Sequence, residues 1–551
     1  MHFLIGLDDV MKKAGNRFSN RKADIVWYAL CFVILGLIDQ RRGSAEGTLQ
    51  MTYANLTGIV VGMLLLPSMK PAFRYTKLFR VWSFFCIPGA VLGCVIGQKY
   101  WMYAGQWYTA VANIVVIGYL LLYIVWNWQE IKGRGRLNKG CFLIVLSMLI
   151  IMVLSVHETL WPAWFLFIYG SLYLIGIPKE KEETFLIGMM LGIIVWFFIQ
   201  QTIAFGFRPY DCTPRYRGLY SGETQNGIFY MVVFCAFTGM WLLLKKRKEK
   251  PVLRILCFVL SAGSVAFQLF TGSKASFLGL AAAAVVAYMA FDIIISGSFR
   301  HWILQGIMLW MCIAVLIPIV YGSIRYLPTI LHHPIWFEGE YNEQTSVHSY
   351  DPWNSERYVS YKNALRYSVG RILQMMGIDI WDENGQVRLR THEAMLVHAA
   401  ELGEHGNSPE NFFSFEETDF SSSSSVRRTI YYYYFTHLNL AGHSKNNAGF
   451  YMADGLYYGH AHNMFLQIAY DYGIIAGLLF LIWNVQCLIR LLLRKDMPGI
   501  ICATFLVAIL VYGCAEMAVN TGQITMAMLF LVYYFGMQRR SDLCAIKENV
   551  L

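Results

Sequence analysis

Two histidines, His460 and His462, stand in the stretch Tyr457–Gly477, YYGHAHNMFLQIAYDYGIIAG, where a long polar segment gives way to a hydrophobic one. An unperturbed imidazole titrates near pH 6.5, so a histidine here suits general acid–base work, or contact with an anion when it is protonated. An H-x-H pair also suggests a metal, but no nearby acidic residue has ligand spacing, and no metal is expected. Asn463 and Gln467 lie four residues apart, on one helical face, where they can orient the histidine or a ligand's hydroxyls.

A second set of residues is cationic. RYRGLYSGETQNG, 215–227, supplies Arg215 and Arg217, a turn at Gly218, and polar Glu223, Gln225 and Asn226. TGSKASFLGL, 271–280, opens an apolar run with Lys274 in its first turn, which Thr271 or Ser273 can cap. A cation at a helix N-terminus opposes the macrodipole unless an anion offsets it, and the free N–H groups there would bind that same anion. NSERYVSYKNALR, 354–366, adds Glu356, Arg357, Lys362 and Arg366. Each residue has a plainer reading. Arginines at membrane ends snorkel to phosphate headgroups, and Lys274 and His462 are ordinary interfacial residues when taken alone. Their gathering on one side of a membrane is what favours a site. Glu223, Glu356 and Glu516 are further candidate bases, and Glu516 is costly enough near a span's end to suggest a role.

The elements that would position these residues are helices in a membrane. Of 551 residues, 56% are hydrophobic and 15% charged, against about 25% charged in a typical soluble chain. The apolar runs are uninterrupted and near spanning length, which predicts helices rather than barrel strands. The expected class is an all-α polytopic membrane protein with about fourteen transmembrane helices (twelve to fourteen). The spans fall at 23–39, 51–69, 79–97, 107–128, 140–156, 161–177, 184–206, 226–244, 251–270, 274–295, 302–322, 462–489, 498–518 and 523–538. No cleavable signal is expected at the polar, basic N-terminus. Most of the twelve cysteines fall in or beside apolar runs. Cys212 alone lies in an outer loop, so no external disulfide framework is expected.

Well over half of the 45 Lys and Arg fall in one alternating set of connections, including Arg21, Lys70, Arg134, Lys181, the run KKRKEK at 245–250, Arg300, Arg494 and Arg539. The other set holds Arg41, Arg42, Lys99, Arg208, Arg215, Arg217 and Lys274. By the positive-inside rule the first set is cytoplasmic. Both termini are then inside, at 1–22 and 539–551. A bundle over 23–322 and closing helices over 462–538 flank one large extracytoplasmic segment, 323–461. The net charge of +10 then reflects topology signals, and no nucleic-acid partner is expected. Within the large segment, Tyr350–Ile380 suits an amphipathic helix on the outer leaflet. Residues 382–459 read as a variable subdomain or lid, with acidic FEETDF (415–420), a flexible SSSSS tract (421–425) and YYYYF (431–435), whose tyrosines suit sugar rings.

The segment 459–481 resembles the signature closing the outer loop of the O-antigen ligase and polysaccharide polymerase family of bacterial membrane proteins. A His-Asn pair, a Leu-Gln, an acidic-x-Gly and a Gly-Leu appear here as His462, Asn463, Leu466, Gln467, Asp471, Gly473 and Gly477. RYRGLYSGETQNG resembles the family's Arg-x-Gly turn with its following asparagine, at Arg217 and Asn226. NSERYVSYKNAL resembles its Ser-x-Arg at Arg357, and TGSKASFLGL its Thr-x-Ser-Arg helix start, with Lys274 for arginine. Gln225 stands where proline is usual, and the loop over 382–455 is long. The resemblance covers about residues 205–535.

The resemblance implies a GT-C-like fold in a bacterial cytoplasmic membrane and an inverting, metal-independent glycosyltransferase without a cofactor. Its donor would be a polyprenyl-diphosphate-linked glycan and its acceptor a glycan or lipid, met at the outer leaflet of the lipid bilayer. His462, Arg357 and Arg217 would be catalytic, and Arg215, Lys274, Asn226, Asn463 and Gln467 would bind diphosphate or sugar. Arginine suits a lipid diphosphate because its planar fork stays charged and binds phosphate bidentately. His462 is open to two roles, general base toward an acceptor hydroxyl or contact to the diphosphate. The rival reading is a multi-span transporter of a polar or anionic solute, whose site would sit near the midplane on broken helices. A membrane sensor with an outer ligand-binding loop is a third, although no cytoplasmic segment is long enough for an output domain.

Overall fold

Backbone groups that leave water must bond within their own segment, and the apolar runs of this chain accordingly fold as helices. The computed structural model describes residues 21–40, 48–100, 104–134, 139–157, 169–206, 215–220, 222–297, 301–331, 341–342, 347–348, 423–444, 449–451, 457–519 and 523–538. The principal helices, apart from the short Trp128–Arg134 after the fourth, are α1 (Arg21–Gln40), α2 (Thr48–Leu64), α3 (Lys77–Tyr100), α4 (Ala104–Trp126), α5 (Lys139–Leu154) and α6 (169–175). They continue with α7 (Lys179–Gly206), α8 (Glu223–Arg247), α9 (Pro251–Thr271), α10 (Lys274–Phe291) and α11 (His301–Ile330). The last are α12 (Ser423–Thr436), α13 (Met464–Tyr472), α14 (Ile474–Leu493), α15 (Met497–Gly513) and α16 (Ile524–Met537). Two antiparallel pairs of two residues each, Tyr341–Asn342 with Val347–His348 and Phe450–Tyr451 with Tyr457–Tyr458, are the sheet content of the described residues.

Among the described residues nine helices are long and apolar enough to cross a membrane, and four shorter apolar helices accompany them. The chain is an all-α, multi-pass membrane protein. Its core is built on α8 and α16. Every residue of α16 is buried, and α8 is buried along nearly its whole length. Buried hydroxyls tie α16 to its neighbours. Tyr534 donates to the Ile177 carbonyl at 3.1 Å and accepts from the Ile177 amide at 2.8 Å, and Tyr533 donates to Asn484 at 2.6 Å. Backbones come close where side chains are small: a Cβ at Gly279 of α10 would lie 2.6 Å from the Ala508 carbonyl of α15.

The helix ends follow local chemistry. Three cations, Lys245, Lys246 and Arg247, fill the last turn of α8, where they complement the macrodipole. Asp496 caps α15 by accepting from the Gly499 amide at 2.8 Å, with proline in the first turn. Polar contacts sort to the two ends of the bundle. At one end Arg247 and Arg21 meet Glu183, Lys181 meets Asp24 at 2.7 Å, and Arg494 meets Glu182 and Asp496 at 2.9 Å. These are residues of the strongly basic set. At the other end Asp39 accepts from Tyr220 at 3.4 Å and from the Ile524 amide at 3.1 Å.

Several boundaries differ from the sequence reading. The span expected over 462–489 is two helices. Gly473 adopts φ 96° and ψ 156°, a region open essentially to glycine alone, so α13 ends there and the long apolar helix begins at Ile474. Helix α11 runs on to Ile330, so the large loop starts later than residue 323. The serine run expected to be a flexible tract enters α12 at Ser423, as serine's preference for first turns allows. The YYYYF tyrosines form that helix, and Tyr434 is fully buried against Ala461 and Tyr470 instead of lying open for sugars. The amphipathic helix over 350–380, FEETDF, Cys212, Arg41, Arg42, Arg208, Glu356, Arg357, Lys362 and Arg366 lie outside the described residues. So does 161–168 of the sixth expected span.

Candidate active site

His462 sits in the turn just before α13 with φ 48°, a left-handed backbone that costs an L-residue roughly 1–2 kcal/mol. Its neighbours over-determine that turn. The Ala461 amide donates to Gln467 Oε1 at 2.6 Å, and Tyr431 of α12 donates to the His462 carbonyl at 3.2 Å. Asn463 caps α13, accepting from the amides of Phe465 at 3.0 Å and Leu466 at 3.1 Å. Its Nδ2 donates to the Cys514 carbonyl at 2.9 Å, fastening the turn to the end of α15. Strain held this firmly is characteristic of functional positions.

The side chain of His462 is held as tightly as its backbone. Nδ1 lies 2.9 Å from Glu516 Oε2, with the histidine 24% and the glutamate 13% exposed. A carboxylate only accepts, so Nδ1 carries the proton and Nε2 is left as the basic nitrogen. The other oxygen of Glu516 accepts from Arg427 Nη2 of α12 at 2.6 Å. His460 stands edge-on to His462, ring centroids 4.1 Å apart. Crowding by surrounding protein lowers the His460 pKa from its usual value, and the nearby His462 adds to the effect. Tyr431 is pushed up, first by burial, and its neighbour Arg427 opposes that shift. The arrangement of imidazole, orienting carboxylate and guanidinium can take a proton at Nε2 and stabilise the imidazolium that results.

The cationic motif folds as a second unit. Asn226 of α8 is fully buried and its Nδ2 donates to the Tyr216 carbonyl at 3.1 Å. It packs beneath Gly218, where φ is 59° and any Cβ would lie 3.3 Å from the Asn226 amide. The asparagine thus shapes the turn that presents Arg217. Arg217 Nε donates to Glu223 Oε1 at 3.1 Å, and its side chain is 30% exposed. Arg215 Nε donates to the Thr271 carbonyl at 2.9 Å, closing the end of α9. Lys274 opens α10 and is exposed. The serines before and after it, Ser273 and Ser276, bond to each other at 2.9 Å, and Gln268 donates to the Ser273 carbonyl at 2.8 Å.

The two units share one end of the bundle. A Cβ at Gly227, near the start of α8, would lie 2.7 Å from Ser273 Cβ, so the Arg217 turn and Lys274 are neighbours. Gly279 of α10 meets Ala508 of α15. From that contact Lys274 is five residues back and Gly513 five residues on, each about 7.5 Å of helix. Lys274 and the Glu516 turn therefore stand at the same level. His462, Asn463 and Gln467 form one group, and Arg215, Arg217, Asn226 and Lys274 another at the same end of the bundle. Arg357 lies outside the described residues.

Sequence reasoning missed Arg427. It follows the serine run and precedes four tyrosines, and only the helical spacing of Arg427 and Tyr431 signals that both face the His462 turn. The Glu516 carboxylate was visible as a costly charge at a span end, but its partner was not. Comparisons with protein-family models, curated proteins and solved structures find no match to this chain, so the site's geometry carries the functional reading.

Proposed function

We propose that the chain is a membrane glycosyltransferase of the O-antigen ligase or polymerase type. It transfers a glycan from a polyprenyl-diphosphate donor to an acceptor hydroxyl on the outer face of a bacterial cytoplasmic membrane, in cell-surface polysaccharide assembly. The observation that carries this reading is the His462–Glu516 pair, held in a strained turn at the bundle end that also carries Arg217 and Lys274. The resemblance of the motifs at 215–227, 271–280 and 459–481 points the same way.

In this reading Nε2 of His462 takes the proton of the acceptor hydroxyl as its oxygen attacks the anomeric carbon. The bond from that carbon to the diphosphate oxygen breaks, the electron pair leaves with the polyprenyl diphosphate, and the anomeric configuration inverts. Glu516 stabilises the imidazolium through Nδ1. Charge developing on the leaving group needs fixed cations in a partly desolvated site. Arg217 supplies one by exchanging Glu223 for phosphate oxygen, Arg357 a second, and Lys274 adds its charge at a helix end whose N–H groups also favour an anion. Asn226, Arg215, Asn463 and Gln467 hold the turns that carry these groups. No metal or cofactor enters the scheme.

The test is glycan assembly in cells. His462→Ala and Arg217→Ala should each abolish polymerised or ligated glycan while protein levels stay unchanged. Normal glycan banding from either variant contradicts the assignment.

A further inference from the structure

One of the side-chain amides that hold the turn at His462, that of Gln467, has a second partner. Gln467 accepts from the Ala461 amide through Oε1 at 2.6 Å and donates through Nε2 to Asp471 Oδ1 at 2.8 Å. The Ala461 amide can only donate and a carboxylate oxygen accepts, so one orientation of the Gln467 amide satisfies both ends. The flipped amide would aim its NH2 at the Ala461 N–H. Asp471 thereby selects the orientation that holds the residue before His462.

We infer that Asp471 is a positioning residue for transfer, acting through Gln467 to hold the His462 turn in its left-handed conformation. The inference rests on the glycosyltransferase reading and deepens it, because it assigns a role to a carboxylate one helical turn beyond Gln467. Asp471 is itself firmly placed. Its backbone carbonyl accepts from the His443 amide at 3.2 Å, and a Cβ at Gly442 would collide with that carbonyl. His157, beyond α5, brings Nδ1 to 3.9 Å from Asp471 Oδ1 and to 2.9 Å from the His443 carbonyl. His443 stacks on Tyr470 with centroids 3.8 Å apart, and His157 meets the Tyr472 ring at 5.0 Å. The groups facing the carboxylate are therefore Gln467, His157 and His443, with the two tyrosines behind the histidines. Burial pushes its pKa up to about 7, against the lowering effects of Gln467 and His443, so its charge changes near neutral pH while Oδ1 remains an acceptor in both forms.

The experiment measures transfer by purified protein with a polyprenyl-diphosphate-glycan donor for Asp471→Ala, Asp471→Asn, Gln467→Leu and His462→Ala. Asp471→Asn keeps an acceptor oxygen for Gln467, whereas Asp471→Ala and Gln467→Leu do not. The expected result is a loss of at least about tenfold in kcat for Asp471→Ala and Gln467→Leu, the size a misplaced catalytic group produces. The donor KM should change little, the losses in kcat should not track shifts in melting temperature across the variants, and Asp471→Asn should stay within about threefold of wild type. Full activity of Asp471→Ala and Gln467→Leu beside a dead His462→Ala overturns the inference and leaves the glycosyltransferase reading intact. Equal losses in Asp471→Ala and Asp471→Asn, or losses that track the melting temperature, mark a purely structural carboxylate and also overturn it. An active His462→Ala removes the reading and the inference together.

Discussion

At the residue scale, the proposed chemistry turns on how His462 is held. Glu516 touches Nδ1 at 2.9 Å, and a carboxylate in that position fixes the tautomer that makes Nε2 basic. Glu516→Gln should lower transfer about 10²-fold, the lower range for general acid–base contributions, with the protein still folded. Steady-state rates of the purified variant check this, and a wild-type rate would remove Glu516 from the mechanism. A stability effect belongs to Asp471, whose pKa rises from 3.8 to about 7 on folding. Between those values the folded state binds more protons than the unfolded one. The carboxyl's contribution is therefore full below about pH 4 and lost as pH rises through about 7. The melting temperature of Asp471→Asn, compared with wild type from pH 5 to 8, should fall less with rising pH. His462, Asn463, Gln467 and Arg217 were picked out as candidates in the sequence because they sit beside abrupt changes in hydropathy. Arg427 was not, because its partner is 89 positions away in the chain and local patterning carries no sign of such a pairing.

At the element scale, the site depends on where helices stop. The apolar periodicity of 462–489 reads as one span because glycine inside an apolar run is a weak break signal. The fold ends α13 at Gly473, where the Leu440 carbonyl crosses so close that a Cβ would collide with it. Gly473→Ala combines that collision with a backbone region closed to alanine, and it should cost more than about 2 kcal/mol. A drop in melting temperature with loss of transfer checks it, whereas a neutral substitution would mean that the two helices can merge. Helix existence was legible almost throughout, since uninterrupted apolar runs admit few alternatives in a membrane. Helix ends were less so. The overrun of α11 to Ile330 and the start of α12 within the serine run depart from the boundaries that hydropathy and propensity suggest.

At the scale of the whole molecule, the two ends of the bundle differ in chemistry. One gathers Arg21, Lys181, Arg247 and Arg494 in ion pairs with Asp24, Glu182, Glu183 and Asp496. The other carries His462, Glu516, Arg217 and Lys274. The proposed orientation, read from the positive-inside rule, has the first end in the cytoplasm. A cysteine introduced at Lys274 should accordingly react with a membrane-impermeant thiol reagent in intact cells, and one at Lys248 should react only after permeabilisation. The opposite pattern would invert the site. Charge alternation along the sequence is what supports that proposed orientation. The neighbourhood of the Arg217 turn, Lys274 and Glu516 was not legible, because it arises from close helix contacts at Gly227 and Gly279 that composition alone does not reveal. The central claim is that His462 drives metal-independent glycan transfer. Its most direct test is purified protein in EDTA with a radiolabelled polyprenyl-diphosphate-glycan donor and a glycan acceptor. Wild type should release polyprenyl diphosphate and form product while His462→Ala forms none. Equal product from both, or wild-type activity that appears only on adding Mg2+ or Mn2+, would contradict the account.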